Sequence, residues 1–262
     1  MEANIKNFLK YRNLLWEMVK RDIKKKYKNS FLGILWSVIN PLLMMLVLTY
    51  VFTAVFHKNK ITHFAVYILS ARLLYTFFAD ATKFAMKSIV QNRSLIKKVY
   101  IPKYIFPLSK ICSTFIIFLI SFIPLIGVML YYRVEINADT FKGLIALVFL
   151  FFISTGIGLI LSTVNVFFRD MEHLYSVLLT MIMYMSAIFY PVKNVEKLLR
   201  VLKLNPIFDC IWIFRYYILQ DPSAVSVPDS HVFLRCIIYS VVYVGLGVYL
   251  FKKNQDKFIF NI

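Results

Sequence analysis

The chain has 262 residues, of which 60% are hydrophobic and 17% aromatic, and its mean hydropathy is +0.69. That is far more apolar surface than one soluble core of this size buries, so the composition excludes a soluble globular domain and places the chain in a bilayer. The net charge of +18 then reads as membrane topology and lipid anchoring rather than as a nucleic-acid surface.

Residues 1–28 open the chain. Ile5, Phe8, Leu9, Leu15, Trp16, Val19 and Ile23 recur at helical spacing, while Lys6, Lys10, Asn13, Glu17, Lys20 and Lys24 take the opposite face. The pattern predicts an amphipathic helix lying along the membrane surface, its cations on anionic headgroups. Cations spread over the whole segment and no small-residue cleavage site follows a short apolar core, so it does not read as a cleavable signal.

After Lys28 the charges stop. Asn29, Ser30 and Gly33 allow a turn, and the stretch KNSFLGILWSVINPLL enters the membrane. Stretches without Asp, Glu, Lys or Arg run over 29–57, 111–132, 143–168, 173–192 and 236–251, the last extended by Val232, Phe233 and Leu234. About 20 apolar residues in a helix cross a hydrocarbon core of roughly 30 Å. Phe64 to Met86, apolar but interrupted by Arg72 and Asp80, makes a further span. The expectation is an all-α integral membrane protein with six transmembrane helices at about 31–56, 64–86, 108–132, 143–168, 173–191 and 232–251. Together they form one domain over 29–252, with a tail over 253–262. Nine cations in the first 30 residues, seven from Lys83 to Lys110, Arg169 and three after Phe251 put both termini in the cytoplasm.

Within the first span, Pro41 cannot donate to the carbonyl of Ser37, so a kink is expected there and the freed carbonyl needs a neighbour. In the second, an Arg72 facing lipid would cost about 3 kcal/mol or more, so it should face the protein interior or a wet cavity. Its planar fork suits the phosphate of a lipid-linked sugar. The structural alternatives are a pair with Asp80 or a polar group on another span. Asp80 lies about 80° around the helix, which disfavours a direct pair.

Between spans two and three, Lys87 to Lys110 is polar but holds Ile89, Leu95, Ile96 and Val99 for packing, and a short amphipathic helix ending before Pro102 fits the spacing. A solvated basic loop fits equally well. Between spans four and five, VNVFFRDMEHLY makes a short cytoplasmic turn around Arg169 and Asp170. Between spans five and six, Val195 to Leu204 and Ile207 to Leu219, joined at Asn205-Pro206, are too short to span and read as a re-entrant or interfacial extracytoplasmic hairpin. Its Phe208, Trp212, Phe214, Tyr216 and Tyr217 fit an interfacial aromatic belt first and a sugar-stacking surface second.

Cys112 and Cys236 fall within spans and Cys210 stands alone, so a disulfide is not expected. The four histidines form no metal-binding pair, and no glycine begins a G-x-x-x-x-G-K-[ST] phosphate loop.

The order of a basic helix, KNSFLGILWSVINPLL, NRSLIKKVYIPKYIFPLS, FFRD, SAIFYP and LNPIF with Arg215 downstream resembles the ABC-2 type permeases that export O-antigen, capsule and teichoic acid. The resemblance covers about residue 15 to the end. It departs at Ala187, where a second proline is common, and at Ala71-Arg72, where glycine without charge is usual. The resemblance implies a bacterial cytoplasmic-membrane homodimer served by two copies of a separate P-loop ATPase that holds the ATP and Mg, with no cofactor in this chain. It implies a coupling helix around Asn92, Leu95, Lys97 and Lys98, with Arg169 and Asp170 as a second ATPase contact. Trp36, Tyr50, Arg72, Tyr75, Tyr184, Phe189 and Tyr190 are the candidates for the polysaccharide pathway. A membrane-embedded transferase on lipid-linked sugars needs a carboxylate or histidine cluster near one face. An ion-driven carrier needs paired broken helices and buried acids. Both remain alternatives.

Overall fold

The computed structural model describes residues 10–28, 30–55, 63–99, 101–190, 199–221 and 225–261, and every regular element among them is helical. Residues 1–9, with Ile5, Lys6, Phe8 and Leu9, lie outside the described residues, as do 195–198 of the outer loop.

Helix α1 (Arg12–Tyr27) places Lys24, Lys25 and Lys26 in its last turn, where cations oppose the negative end of the helix dipole. Its apolar stripe divides. Met18 and Val19 are buried, and α1 packs on α5 (Ile105–Ile120), while Trp16 is 52% exposed. Asp22, overlooked in the basic run, belongs to the buried side: its carboxylate lies 3.0 Å from Lys110 Nζ on α5 and 3.1 Å from Arg21.

The turn into the membrane needs its glycine, because Gly33 has φ +50° while its N–H donates to Ser30 Oγ at 3.1 Å. Helix α2 (Trp36–Val55) runs through Pro41. The Ser121 hydroxyl, 3.0 Å away, donates to the Ser37 carbonyl that the proline leaves without its helical N–H. Ser121 sits at the joint between α5 and α6 (Phe122–Tyr131), which together form one apolar segment from Ile105 to Tyr131.

Helix α3 (Phe64–Gln91) is the central post, buried along most of its length and touching α2, α5, α8 and α11. Asn92 separates it from α4 (Arg93–Lys98), the short helix expected before Pro102. On the other side of the chain, α7 (Ala138–Lys142) leads into α8 (Ile145–Phe167), followed by α9 (Met171–Tyr184), α10 (Leu199–Leu202), α11 (Pro206–Leu219), α12 (Val232–Asn254) and α13 (Phe258–Asn261). Helices α8 and α12 approach at two glycines: a Cβ on Gly247 would stand 2.5 Å from the Gly156 carbonyl oxygen, and one on Gly156 would stand 2.3 Å from the Tyr243 backbone.

Among the described residues, five segments are long and apolar enough to cross a membrane: Gly33–Thr53, Phe64–Gln91, Ile105–Tyr131, Ala138–Phe167 and Val232–Lys257. Each overlaps an expected span. In the region of the expected fifth span, α9 has 14 residues, about 21 Å at the helical rise and short of a hydrocarbon core.

Helix α11 begins as its sequence dictates, with Asn205 accepting from the Ile207 N–H at 3.1 Å, Pro206 in the first turn and Asp209 at the positive end. It ends at Gln220, which takes a left-handed φ of 47°. The aromatic-belt reading of this helix fails for Phe208, Trp212 and Phe214, which are buried in the main core with Ile207, Ile211 and Ile213. A helix apolar on every face seeks the interior of a bundle rather than its rim. Tyr216 and Tyr217 alone of the five remain partly exposed.

Candidate functional site

Two clefts and two networks of polar contacts organise the candidate residues. The first cleft has a volume of about 390 Å³ and lies among the C-terminal end of α1, α2, α3 and α5. Trp36, Ser37, Asn40, Arg72, Thr76 and Asp80 line it. Arg72 and Asp80, both on α3, do not pair with each other. Arg72 Nη1 lies 3.2 Å from Met183 Sδ and the guanidinium stands 5.9 Å from the Tyr75 ring centroid, while Asp80 Oδ2 is 4.0 Å from Lys26 Nζ. Arg72 thus meets a groove and polarisable partners rather than open lipid.

Along the groove's far side, α3 and α9 run antiparallel and are linked by four side-chain contacts. From the outer end they are Arg72 to Met183, the Tyr75 hydroxyl donating to the Leu179 carbonyl at 2.7 Å, the Tyr175 hydroxyl donating to Thr82 Oγ1 at 2.6 Å, and a Lys87–Glu172 ion pair. Outside this line α9 is poorly covered: Leu174, Val177, Met181 and Tyr184 are exposed, as are Leu43, Leu46, Val47 and Tyr50 of α2.

The innermost contact joins the two stretches expected to meet an ATPase. Lys87 lies in the last turns of α3, just before Asn92 and α4, and Glu172 in the first turn of α9, after Arg169 and Asp170. Asn165 Nδ2 also donates to the Met86 carbonyl at 3.3 Å. Asn92 closes α3 by donating from its side chain to the Ser88 carbonyl at 2.7 Å. Lys97, Lys98, Arg169 and Asp170 are exposed. Ile96 is buried and Leu95 half-buried in a second apolar core with Met18, Ile89, Phe106, Phe251 and Phe258. Beside it Lys103 donates to the Gln255 carbonyl at 2.5 Å, and burial lowers the pKa of its ammonium.

The second network holds the outer end of α9. Beyond Tyr184 the chain turns, and Ala187 adopts a left-handed φ of 49°. Its carbonyl and that of Ile188 accept from Arg215 Nη1 and Nη2 at 2.7 and 2.9 Å. Arg215 also donates to the Tyr67 carbonyl, and the Tyr67 hydroxyl donates to the Tyr190 carbonyl at 2.8 Å. Asn205 donates to Ser186 Oγ at 2.9 Å. Arg215 is 2% exposed, and its partners are backbone carbonyls, those of Ala187 and Ile188 in the turn and that of Tyr67 in the first turn of α3. Phe189 stacks on Phe52 at 5.2 Å and lies 6.0 Å from Tyr184, and the Tyr190 hydroxyl donates to the Tyr184 carbonyl.

The candidate pathway residues therefore separate into groups. Trp36 and Arg72 share the groove, Tyr75 belongs to the α3–α9 seam, and Tyr184, Phe189 and Tyr190 cluster beyond it. Tyr50, 79% exposed, stands on the outer face of α2. Sequence reading missed Tyr67, Arg235 and Asp22. Arg235 binds Asp209 with two nitrogens at 2.8 Å and reaches Asp229, which also meets Lys203. The Lys203 ammonium holds the Asp229 carboxyl below its usual pKa, with Arg235 adding to the effect. Cys210 and Cys236 are both buried, and both thiols are free.

Residues 13–219 match the ABC-2 type transporter family. The chain is 27% identical over 263 residues to the O-antigen export system permease protein RfbA of Myxococcus xanthus, covering 98% of each chain. It is 31% identical over 250 residues to a protein of the same name from Klebsiella pneumoniae, covering 94% of this chain and 93% of that one. It is 23% identical over 242 residues to the polysialic acid transport protein KpsM of Escherichia coli, covering 89% of this chain and 91% of that one.

Proposed function

The chain belongs to the ABC-2 type transporter family, and on that premise we propose that it is the membrane permease subunit of an ATP-driven exporter of a long-chain or lipid-linked polysaccharide. The observation that carries the reading is that relatives named for O-antigen and polysialic acid transport align with it along nearly the whole chain.

In this reading six spans cross a bacterial cytoplasmic membrane with both termini inside, α9 and the turn after it making the fifth. Helices α10 and α11 are the re-entrant outer pair. Two copies face each other across the pathway, the exposed faces of α2 and α9 turned toward the partner copy and the surrounding lipid. Two copies of a separate P-loop ATPase bind below, at α4 and at Arg169-Asp170, and their closure on ATP moves α3 and α9 together through the Lys87–Glu172 pair. Trp36, Tyr50, Tyr184, Phe189 and Tyr190 offer ring faces along which successive sugars slide, and Arg72 meets the phosphate of the lipid carrier.

The test is co-expression with the neighbouring genes of the source genome, followed by purification in detergent. An equimolar soluble P-loop ATPase that comes with the permease supports the reading. Permease that purifies alone, whatever the neighbours, overturns it.

A further inference from the structure

The second cleft lies away from the groove and the seam, at the outer corner where α7, the end of α11 and residues 225–227 meet. It has a volume of about 340 Å³ and is lined by Asp139, Lys142, Tyr216, Tyr217, Gln220 and Val225 among others. We propose that this cleft binds a pyranose ring of a glycan on the extracytoplasmic side. The proposal rests on the export reading for the orientation of the chain and for the glycan's source.

Four observations carry it. The volume falls at the lower end of small-ligand pockets, the scale of a sugar ring. The rings of Tyr216 and Tyr217 lie 5.2 Å apart at 76°, so they form a corner that offers one face to the C–H side of a pyranose and one edge to its rim. Unlike Phe208 and Phe214 they are not absorbed by the core.

The polar group beside them is oriented in advance. Gln220 Oε1 accepts from Asn137 Nδ2 at 3.2 Å, and its Nε2 lies 3.2 Å from Thr140 Oγ1 and from the Tyr217 carbonyl. Asn137 and Thr140 are themselves locked in the reciprocal cap that starts α7. Gln220 holds a left-handed backbone that costs a non-glycine residue about 1 kcal/mol or more, and this fixes where its amide stands.

Charge selects the ligand class. Lys142 is paired with Asp139 at 2.5 Å and Asp221 adds a second carboxylate to the lining, so the cleft offers donors and acceptors with one net negative charge, which repels a phosphate. A neutral ring rich in hydroxyls fits that lining, and a lipid headgroup does not. Tyr216 follows Arg215 directly in sequence, so an occupant sits beside the residue that fastens the outer end of α9 and steadies α11 against it.

The experiment is saturation-transfer NMR on the full permease complex in lipid nanodiscs without nucleotide, using two probes. One is an oligosaccharide released by mild acid from the surface polysaccharide of the source cells, and the other is maltoheptaose. Transfer to ring protons is expected, with Tyr217→Ala or Gln220→Ala weakening binding about five- to tenfold. Tyr131→Ala removes an exposed tyrosine of the same face outside the cleft and leaves binding unchanged. Variants are compared only where their melting matches wild type, and Asp139→Asn replaces any that does not fold. Preference for the source glycan supports the site and ties it to the exported polymer. Equal binding of both probes supports a pyranose site open to envelope glycans at large. No transfer from either probe, or transfer undiminished in both Tyr217→Ala and Gln220→Ala, overturns it. No transfer to the wild-type permease with its ATPase bound rejects the cleft alone, whereas transfer to a wild-type permease that carries no ATPase rejects the export reading alone.

Discussion

The guanidinium of Arg215 lies 3.5 Å from the centroid of the Tyr67 ring while two of its nitrogens donate to the carbonyl of the same tyrosine, at 3.1 and 2.8 Å. One buried fork thus binds α11 to the outer end of α3 and, through Ala187 and Ile188, to the turn after α9. A lysine keeps the charge but cannot reach three carbonyls in one plane. Each buried carbonyl left unpaired costs about 1–3 kcal/mol. Arg215→Lys is therefore expected to lower the melting temperature in detergent severely, and Tyr67→Phe, which loses only a hydroxyl, to cost about 1 kcal/mol. If Arg215→Lys melts with wild type, the clamp is not structural.

The contact between α8 and α12 leaves no room for a methyl group. Gly156→Ala and Gly247→Ala must each push backbone apart, and overpacking of this kind costs typically 1–3 kcal/mol or more. Gly245→Ala, two residues from Gly247 with nothing within 4 Å of its would-be Cβ, is the matched control and should melt with or slightly above wild type. Equal melting of all three would show that the two helices do not touch here.

Lys97 and Lys98 are exposed, whereas Leu95 leans on the second apolar core. Lys97→Glu combined with Lys98→Glu is expected to release the ATPase on purification while leaving the melting curve intact. Leu95→Asp should lose both binding and stability. A charge-reversed permease that still carries its ATPase and exports at the wild-type rate refutes the docking assignment.

In the groove, Arg72→Ala is expected to slow export about tenfold or more, the worth of a charge-assisted bidentate contact, with Arg72→Lys intermediate. Wild-type export by Arg72→Ala, measured with the ATPase bound, removes the phosphate role.

Acid should act at the outer link made by Asp229. Its folded pKa lies below the unfolded value near 3.9, so its contribution is present above that value and disappears as pH falls through the depressed one. Asp229→Asn is expected to melt below wild type at pH 7 with no change in the gap down to pH 5, and the gap should close only in stronger acid. A gap that closes between pH 7 and 5 contradicts the assignment.

Much of the fold is written in where the charges stop, because a bilayer tolerates few of them: α2 and α8 fall within charge-free stretches, while α5 begins before Lys110 and α12 takes in Arg235, Lys252 and Lys253. Local chemistry was also legible: the Gly33 turn, the break at Asn205-Pro206, the short helix before Pro102, and the need of the Ser37 carbonyl for a partner. The partners were not. Arg215 binds backbone oxygens, which leave no side-chain pattern to find, and Asp22 was hidden among lysines although it shares a face with Met18 and Val19. The burial of α11 was missed because 14 residues are too few to span, and length says nothing of whether a short apolar helix enters the bundle or rests on it.

The four contacts between α3 and α9 have a mechanical meaning. Apolar surfaces slide over one another almost continuously, since each methyl exchanges one neighbour for the next. Hydrogen bonds in a medium without water must be remade before the old ones are missed. A helix held at Leu179, Tyr175 and Glu172 therefore travels with α3 as one piece, because any slip along it must break all three at once. The seam makes the two helices a single lever arm, so that a push at the Lys87–Glu172 end is felt at the Arg72–Met183 end.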